Sequence, residues 1–282
     1  MTRVARIRPL AAWVRATFAG VGVSLLGLAG AHAAPSIQAG TVQEFQIPSR
    51  HQGKNRRVWV YTPPGYVASR DTSLALLLAL DGNDFLQEFH FAHVVDSLQA
   101  AGATPRLIAV LMDKRSGAER RDDLANRAWF VDFVADEVLP WVRSRWRVSR
   151  DPGRTAIAGT SAGGLAAVHI ALRRPGLFGN VLSQSGAFWR GNEDSNSAPF
   201  LWLLSQVGRW PLSAVRLHLE VGTAENQGTL GGTAPSILSA NRAMRDTLRA
   251  HGYEVTYVEV PNGVHDVETW APRFPAALAA LF

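Results

Sequence analysis

The sequence predicts an α/β fold: a mostly parallel central sheet flanked by helices, with antiparallel N-terminal strands. Three observations carry this. Residues 74–80 (LALLLAL) and 106–112 (RLIAVLM) are continuous apolar runs, as expected of strands buried on both faces of a parallel sheet. Such runs alternate with segments whose apolar residues recur at helical spacing, which is the order of βαβ units. Near the middle of the chain, Gly159-Thr160-Ser161-Ala162-Gly163 joins an apolar strand at 154–158 to a helix-forming run at 164–172.

The elements follow in order. Residues 41–48 and 56–62 read as two strands with a hairpin loop at 51–55, closed by Pro63-Pro64-Gly65-Tyr66. After the strand at 74–80, Asp81-Gly82-Asn83 forms a turn, and residues 92–101 form a helix. A polar, charged loop over 113–125 follows the strand at 106–112. Residues 127–145 read as a long amphipathic helix, with Pro140 expected to kink it or end its first part. Residues 180–188 are a strand entering a loop. Residues 189–213, which hold Trp189, Trp202 and Trp210, read as an irregular insertion over the sheet's edge. A strand at 216–221, a helix at 235–251, a strand at 254–260 and a last helix at 266–282, broken near Pro275, complete the chain.

The N-terminus is set apart. Arg3, Arg6, Arg8 and Arg15 precede an uncharged, largely apolar run at 17–29, and Ala31-His32-Ala33 offers a small-x-small cleavage pattern. This is the form of a secretory signal peptide. The expected organisation is therefore a signal at 1–33 and one domain at 34–282, exported to the periplasm or beyond, with no membrane anchor after cleavage. Removing those four arginines lowers the formal net charge from +6 to +2, and no basic run suited to a nucleic-acid patch remains. There is no cysteine, hence no disulfide and no thiol nucleophile. His90 and His93 are the only close histidine pair and lack the ligand set of a catalytic zinc site, so no metal and no cofactor is expected.

The strand–turn–helix setting makes Ser161 a candidate nucleophile on a Gly-x-Ser-x-Gly elbow. Gly159 and Gly163 lack the side chains that would obstruct so sharp a turn. A serine hydroxyl needs a base beside it, usually a histidine oriented by a carboxylate. In a parallel sheet the reactive crevice lies at the carboxyl ends of the strands. Of eight histidines, His265 sits in a loop directly after a late strand. Glu225 lies past the end of the strand at 216–221, between Ser161 and His265 in the chain. Asp266 is its rival, though it adjoins His265; Glu220 lies within the strand. An oxyanion hole needs two N–H donors. Ala162, just after the nucleophile, and Asn83, in the loop after residues 74–80, are the candidates, with Asp81 as an orienting carboxylate.

Three stretches resemble the putative-esterase branch of the α/β-hydrolases, which includes enterochelin esterases, esterase D and mycolyltransferases: Arg57-Val58-Trp59-Val60-Tyr61-Thr62-Pro63-Pro64-Gly65-Tyr66, Leu80-Asp81-Gly82, and Ala158-Gly159-Thr160-Ser161-Ala162-Gly163-Gly164-Leu165. Residues 174–189 are most similar to enterochelin esterases. So is Arg120-Arg121-Asp122-Asp123-Leu124, which departs from that family's Arg-x-x-Glu-Leu by carrying Asp123. The resemblance covers residues 42–282. It implies an α/β-hydrolase fold, Ser161, Glu225 and His265 as catalytic residues, and Asn83 and Ala162 as the oxyanion hole. It also implies a small-molecule ester substrate such as a ferric catecholate siderophore, which Arg120 and Trp189 would suit.

Three readings compete: an exported serine esterase opening a siderophore trilactone, a carbohydrate-ester or feruloyl-type esterase, and a catalytically silent hydrolase-fold binding protein. Intact Ser161, Glu225 and His265 argue against the last.

Overall fold

The computed structural model describes residues 38–192 and 199–282. The segment read as a signal peptide lies outside them. No helix of the described residues is long and apolar enough to cross a membrane.

The hairpin pattern of the first strands gives an antiparallel pair, Thr41–Ser49 (β1) and Lys54–Thr62 (β2). β2 pairs antiparallel with Leu107–Met112 (β4). From β4 onward the pairing is parallel, through Ala75–Ala79 (β3), Thr155–Thr160 (β5), Asn180–Gln184 (β6), Arg216–Gly222 (β7) and Glu254–Val260 (β10). The sheet order is β1-β2-β4-β3-β5-β6-β7-β10. A small ribbon, Gly228–Thr229 (β8) with Ala234–Ser236 (β9), follows β7.

Period-two alternation assigns each central strand to two cores. Along β3, Leu76 and Leu78 join the larger core, whereas Ala75, Leu77 and Ala79 join the smaller. Gly82–Gln87 (α1), Phe91–Ala100 (α2) and Phe274–Ala279 (α10) cover the smaller core with Phe85, Phe91 and Phe274, whose rings meet edge-on or tilted. Ala128–Phe133 (α4), Leu139–Arg145 (α5), Ala162–Arg173 (α6) and Ile237–Ala250 (α8) cover the larger one, through residues such as Phe133, Val142, Leu165 and Met244.

Four local expectations change. The polar stretch after β4 contains a helix, Gly117–Leu124 (α3). Ion pairs hold it in place of an apolar stripe: the buried Asp123 carboxylate accepts from Arg56 at 2.8 Å and from Arg115 Nε at 2.9 Å. The turn at Asp81 opens directly into α1. The long helix over 127–145 widens into π-helix at Val134–Val138, in the turn before Pro140. Proline lacks an N–H and crowds the carbonyl four residues back, and a wider turn relieves both. Finally, the described part of the expected edge insertion packs against helix α6 instead of over the sheet's edge. Trp202 and Trp210 of this segment, which includes Trp202–Gln206 (α7), lie 5.5 and 5.6 Å from the His169 ring of α6. The C-terminal helix is interrupted at Ala271–Arg273, between Val267–Trp270 (α9) and α10. Pro272 and Pro275 each fall in the first turn of the piece they open.

Candidate active site

Parallel strands deliver their following residues to one end of the sheet. Asp81 follows β3, Ser161 follows β5, Ser185 follows β6, Glu225 lies just past β7, and His265 lies just past β10. These strands are contiguous in the sheet, so five loops converge.

Ser161 occupies the turn between β5 and α6 with φ 53° and ψ −118°, a conformation costly for a residue with a Cβ. Packing enforces it. A Cβ on Gly159 would run into the backbone of Gly163, so only glycine lets the strand and the elbow helix lie this close. Ser161 N–H donates to the Gln184 carbonyl at 2.9 Å, and Ala187 N–H donates to the Ser161 carbonyl at 2.9 Å.

The Ser161 hydroxyl is 2.9 Å from His265 Nε2. His265 Nδ1 is 2.5 Å from Glu225 Oε2. The Glu225 carboxylate is buried, and its other oxygen accepts from Gly222 N–H at 2.8 Å and from the Ser185 hydroxyl at 2.6 Å. With Glu225 ionised, Nδ1 carries the ring proton and Nε2 is left to accept the serine proton.

The rival carboxylates are occupied elsewhere. Asp266 caps α9, accepting from Thr269 N–H at 3.2 Å. Glu220 is buried between Arg273 at 2.8 Å, Gln184 at 3.0 Å and His218 at 3.1 Å.

Ala162 and Asn83 are the first and second residues of α6 and α1, where backbone N–H groups have no acceptor within the helix. The Asn83 side chain turns the other way and accepts from Lys114 N–H at 2.6 Å. Asp81, with φ 59°, precedes α1. Arg120 donates to both its oxygens, from Nε at 2.7 Å and from an Nη at 2.5 Å. Burial opposes charge on Arg120, but the bonds to Asp81 more than offset it and raise its pKa. Arg120 is thus tied to Asp81. Trp189 is half-buried against the larger core; its ring lies 6.3 Å from Phe200, with the Arg190 guanidinium 5.7 Å above it.

Two polar neighbours were not singled out from the sequence. Ser185 holds Glu225, and the Trp270 indole N–H donates to Ser185 at 2.8 Å. The only local signal for Ser185 was its place just past a strand's carboxyl end. Trp270 carried none.

The family model described as a putative esterase matches residues 49–281. The chain is 32% identical over 237 residues to the iron(III) enterobactin esterase of Escherichia coli strain K12, covering 84% of this chain and 55% of that protein. It thus spans about half the length of the curated relatives it matches. The crystal structure of a Shigella flexneri enterobactin esterase, obtained in the presence of enterobactin, superposes with a TM-score of 0.73 at 28% identity, covering 87% of this chain and 60% of that one. A ferulic acid esterase from the fungus Anaeromyces mucronatus shares the fold, with a TM-score of 0.69 at 16% identity over 88% and 92% of the two chains.

Proposed function

The chain belongs to the putative-esterase family, and from that premise we propose that it is a serine carboxylic-ester hydrolase working through an acyl-enzyme on Ser161. One observation carries the reading: the continuous hydrogen-bonded line from Ser161 Oγ through both nitrogens of His265 to a buried Glu225. In the proposed reaction His265 Nε2 takes the hydroxyl proton as Ser161 Oγ attacks the ester carbonyl. Ala162 and Asn83 N–H groups receive the oxyanion, supported by the dipoles of the helices they open. His265 returns the proton to the leaving alcohol. Water then enters, gives a proton to His265 and attacks the acyl-serine; His265 hands that proton to Ser161 Oγ as the acyl–oxygen bond breaks and the carboxylic acid leaves. Glu225 stabilises the imidazolium in both halves.

The proposed substrate class is the catecholate siderophore ester. The relatives named as iron(III) enterobactin esterases support it, as do the aromatic side chains Trp189 and Phe200 beside the loop after β6. We also propose that residues 1–33 direct export, so that the reaction takes place outside the cytoplasm.

The test is a panel of trilactone siderophores, feruloyl sugars and short acyl esters given to the purified protein, with fluorophosphonate labelling mapped by mass spectrometry. Preferred turnover of the trilactone with label on Ser161 is expected. Preferred turnover of feruloyl sugars would replace the substrate class and keep the mechanism. Label absent from Ser161 would overturn the mechanism.

A further inference from the structure

Taking Ser161, His265 and Glu225 as the acyl-transfer triad, we infer that Ser185 and Trp270 are positioning residues that hold His265 and Glu225 together as one closed circuit. Four contacts make the circuit. His265 Nδ1 meets Glu225 Oε2 at 2.5 Å, and Glu225 Oε1 meets Ser185 Oγ at 2.6 Å. Ser185 Oγ meets Trp270 Nε1 at 2.8 Å. The Trp270 ring then returns edge-on to the His265 ring, centroids 5.0 Å apart at 89°. The histidine is therefore gripped from two sides, and its two holders are bonded to each other through one serine.

The donor and acceptor chemistry of the four groups sets the direction of each proton in the circuit. An indole N–H is a donor only. Ser185 must therefore accept from Trp270, which leaves its single hydroxyl proton for Glu225. Gly222 N–H supplies a second donor to the same oxygen at 2.8 Å. Glu225 Oε2 is then left to the His265 Nδ1 proton, and Nε2 is left to receive the proton of Ser161. The carboxylate thus fixes the His265 tautomer, and Ser185, backed by Trp270, holds that carboxylate in place.

The backbone is arranged around this circuit. Ser185 has φ 51° and Ser161 has φ 53°, left-handed values on adjacent strand ends, where glycine would be the unstrained choice. Both positions carry a hydroxyl instead. Strain retained at a buried non-glycine residue points to a side chain that is needed there. Ser185 is 1% exposed, and its N–H donates to the Glu220 carbonyl at 2.7 Å. Trp270 is clamped by the neighbouring residue as well, since Gln184 Nε2 donates to its carbonyl at 3.1 Å while holding Glu220 at 3.0 Å. The end of β6 therefore grips α9 at two successive residues and fixes the indole relative to Glu225.

The experiment compares Ser185→Gly, Trp270→Phe and the double variant with the parent, using an ester the parent turns over. Ser185→Gly removes the hydroxyl while suiting the left-handed backbone, so relief of strain offsets the two hydrogen bonds lost and the variant is expected to fold. Trp270→Phe keeps a ring beside His265 and removes the N–H. Each single change is expected to lower kcat about ten-fold with KM within about two-fold, and to slow fluorophosphonate labelling of Ser161 alike. The double variant is expected to be no slower than the worse single one, because either break opens the same circuit. A merely structural role would leave kcat unchanged or give multiplicative losses; either result overturns the inference. Failure of the parent to label at Ser161 would overturn the triad reading and this inference with it, whereas normal labelling with an unaffected Ser185→Gly variant would overturn this inference alone.

Discussion

Arg120 grips Asp81 with two parallel hydrogen bonds, and the gripped carboxylate lies 3.1 Å from where a Cβ on Gly163 would stand. One ion pair, its carboxylate buried and its guanidinium partly so, therefore joins α3, the loop after β3 and the start of the elbow helix. Breaking a buried pair from one side leaves an unpaired charge. Arg120→Met is expected to cost about 3 kcal/mol, read as a lowered urea midpoint. Asp81→Asn added to it should recover part of that loss. Arg120→Lys should fall between, because an ammonium cannot reproduce the fork. If Arg120→Met kept its stability and only raised KM, Arg120 would be a substrate contact instead.

Ser161→Ala is expected to abolish ester hydrolysis and fluorophosphonate labelling with little change in the thermal midpoint. Ser161→Gly should be inactive as well, and more stable by about 1 kcal/mol, because it relieves the φ 53° strain. A Ser161→Gly protein no more stable than the parent would show that the turn is unstrained.

Glu225→Gln retains size and removes the charge facing His265. A fall in kcat of about 100-fold or more is expected, with KM nearly constant. Asp266→Asn should be mild in both activity and stability, because asparagine also caps helices and Asp266 is the cap of α9. Steady-state kinetics on the two variants separates them. The reverse ranking would move the triad acid to Asp266, and two mild effects would indicate a Ser161–His265 dyad.

Gly222→Ala tests how closely the loops after β7 and β10 must approach. A Cβ there would strike the Gly263 carbonyl and stand 3.0 Å from Glu225 Oε1. The cost is expected to be about 2 kcal/mol. Activity should fall further than the folded fraction does, since Glu225 and His265 are carried on the two loops being forced apart. Activity per folded molecule equal to that of the parent would count against this.

Glu220 gives a pH dependence of stability. Burial would push its carboxyl up, but hydrogen bonds from His218, Arg273 and Gln184 outweigh burial and hold it below its usual 4.5. A group depressed in this way binds fewer protons folded than unfolded. Its stabilisation is complete above about pH 4.5 and is lost as pH falls through the depressed value. Glu220→Gln should therefore destabilise clearly at about pH 7 and much less at about pH 3, by urea midpoints at each pH. A pH-independent difference would contradict the linkage.

Sequence by itself determined the framework of this protein. Apolar runs such as 74–80 specify strands buried on two faces because burial on both sides needs apolar residues at every position, a requirement met by contiguous residues. The elbow at Ser161 was legible for the same reason: its glycines, strand and helix are neighbours in the chain. The strand-end rule then placed Glu225 and His265 at the same end of the sheet as Ser161. Only the tertiary structure decided which groups touch. The reach of Glu225 to His265 spans 40 residues, Arg120 to Asp81 spans 39, and Trp270 to Ser185 spans 85. Helix α3 belongs to the same class, since ion pairs to the distant strand β2 and to Asp81 order a charged stretch that shows no apolar period. Such contacts follow from how the sheet stacks its strands and how far each loop extends beyond it. A hydrogen bond forms or fails within a few tenths of an ångström, a scale that local sequence pattern does not encode and packing of the whole sheet does.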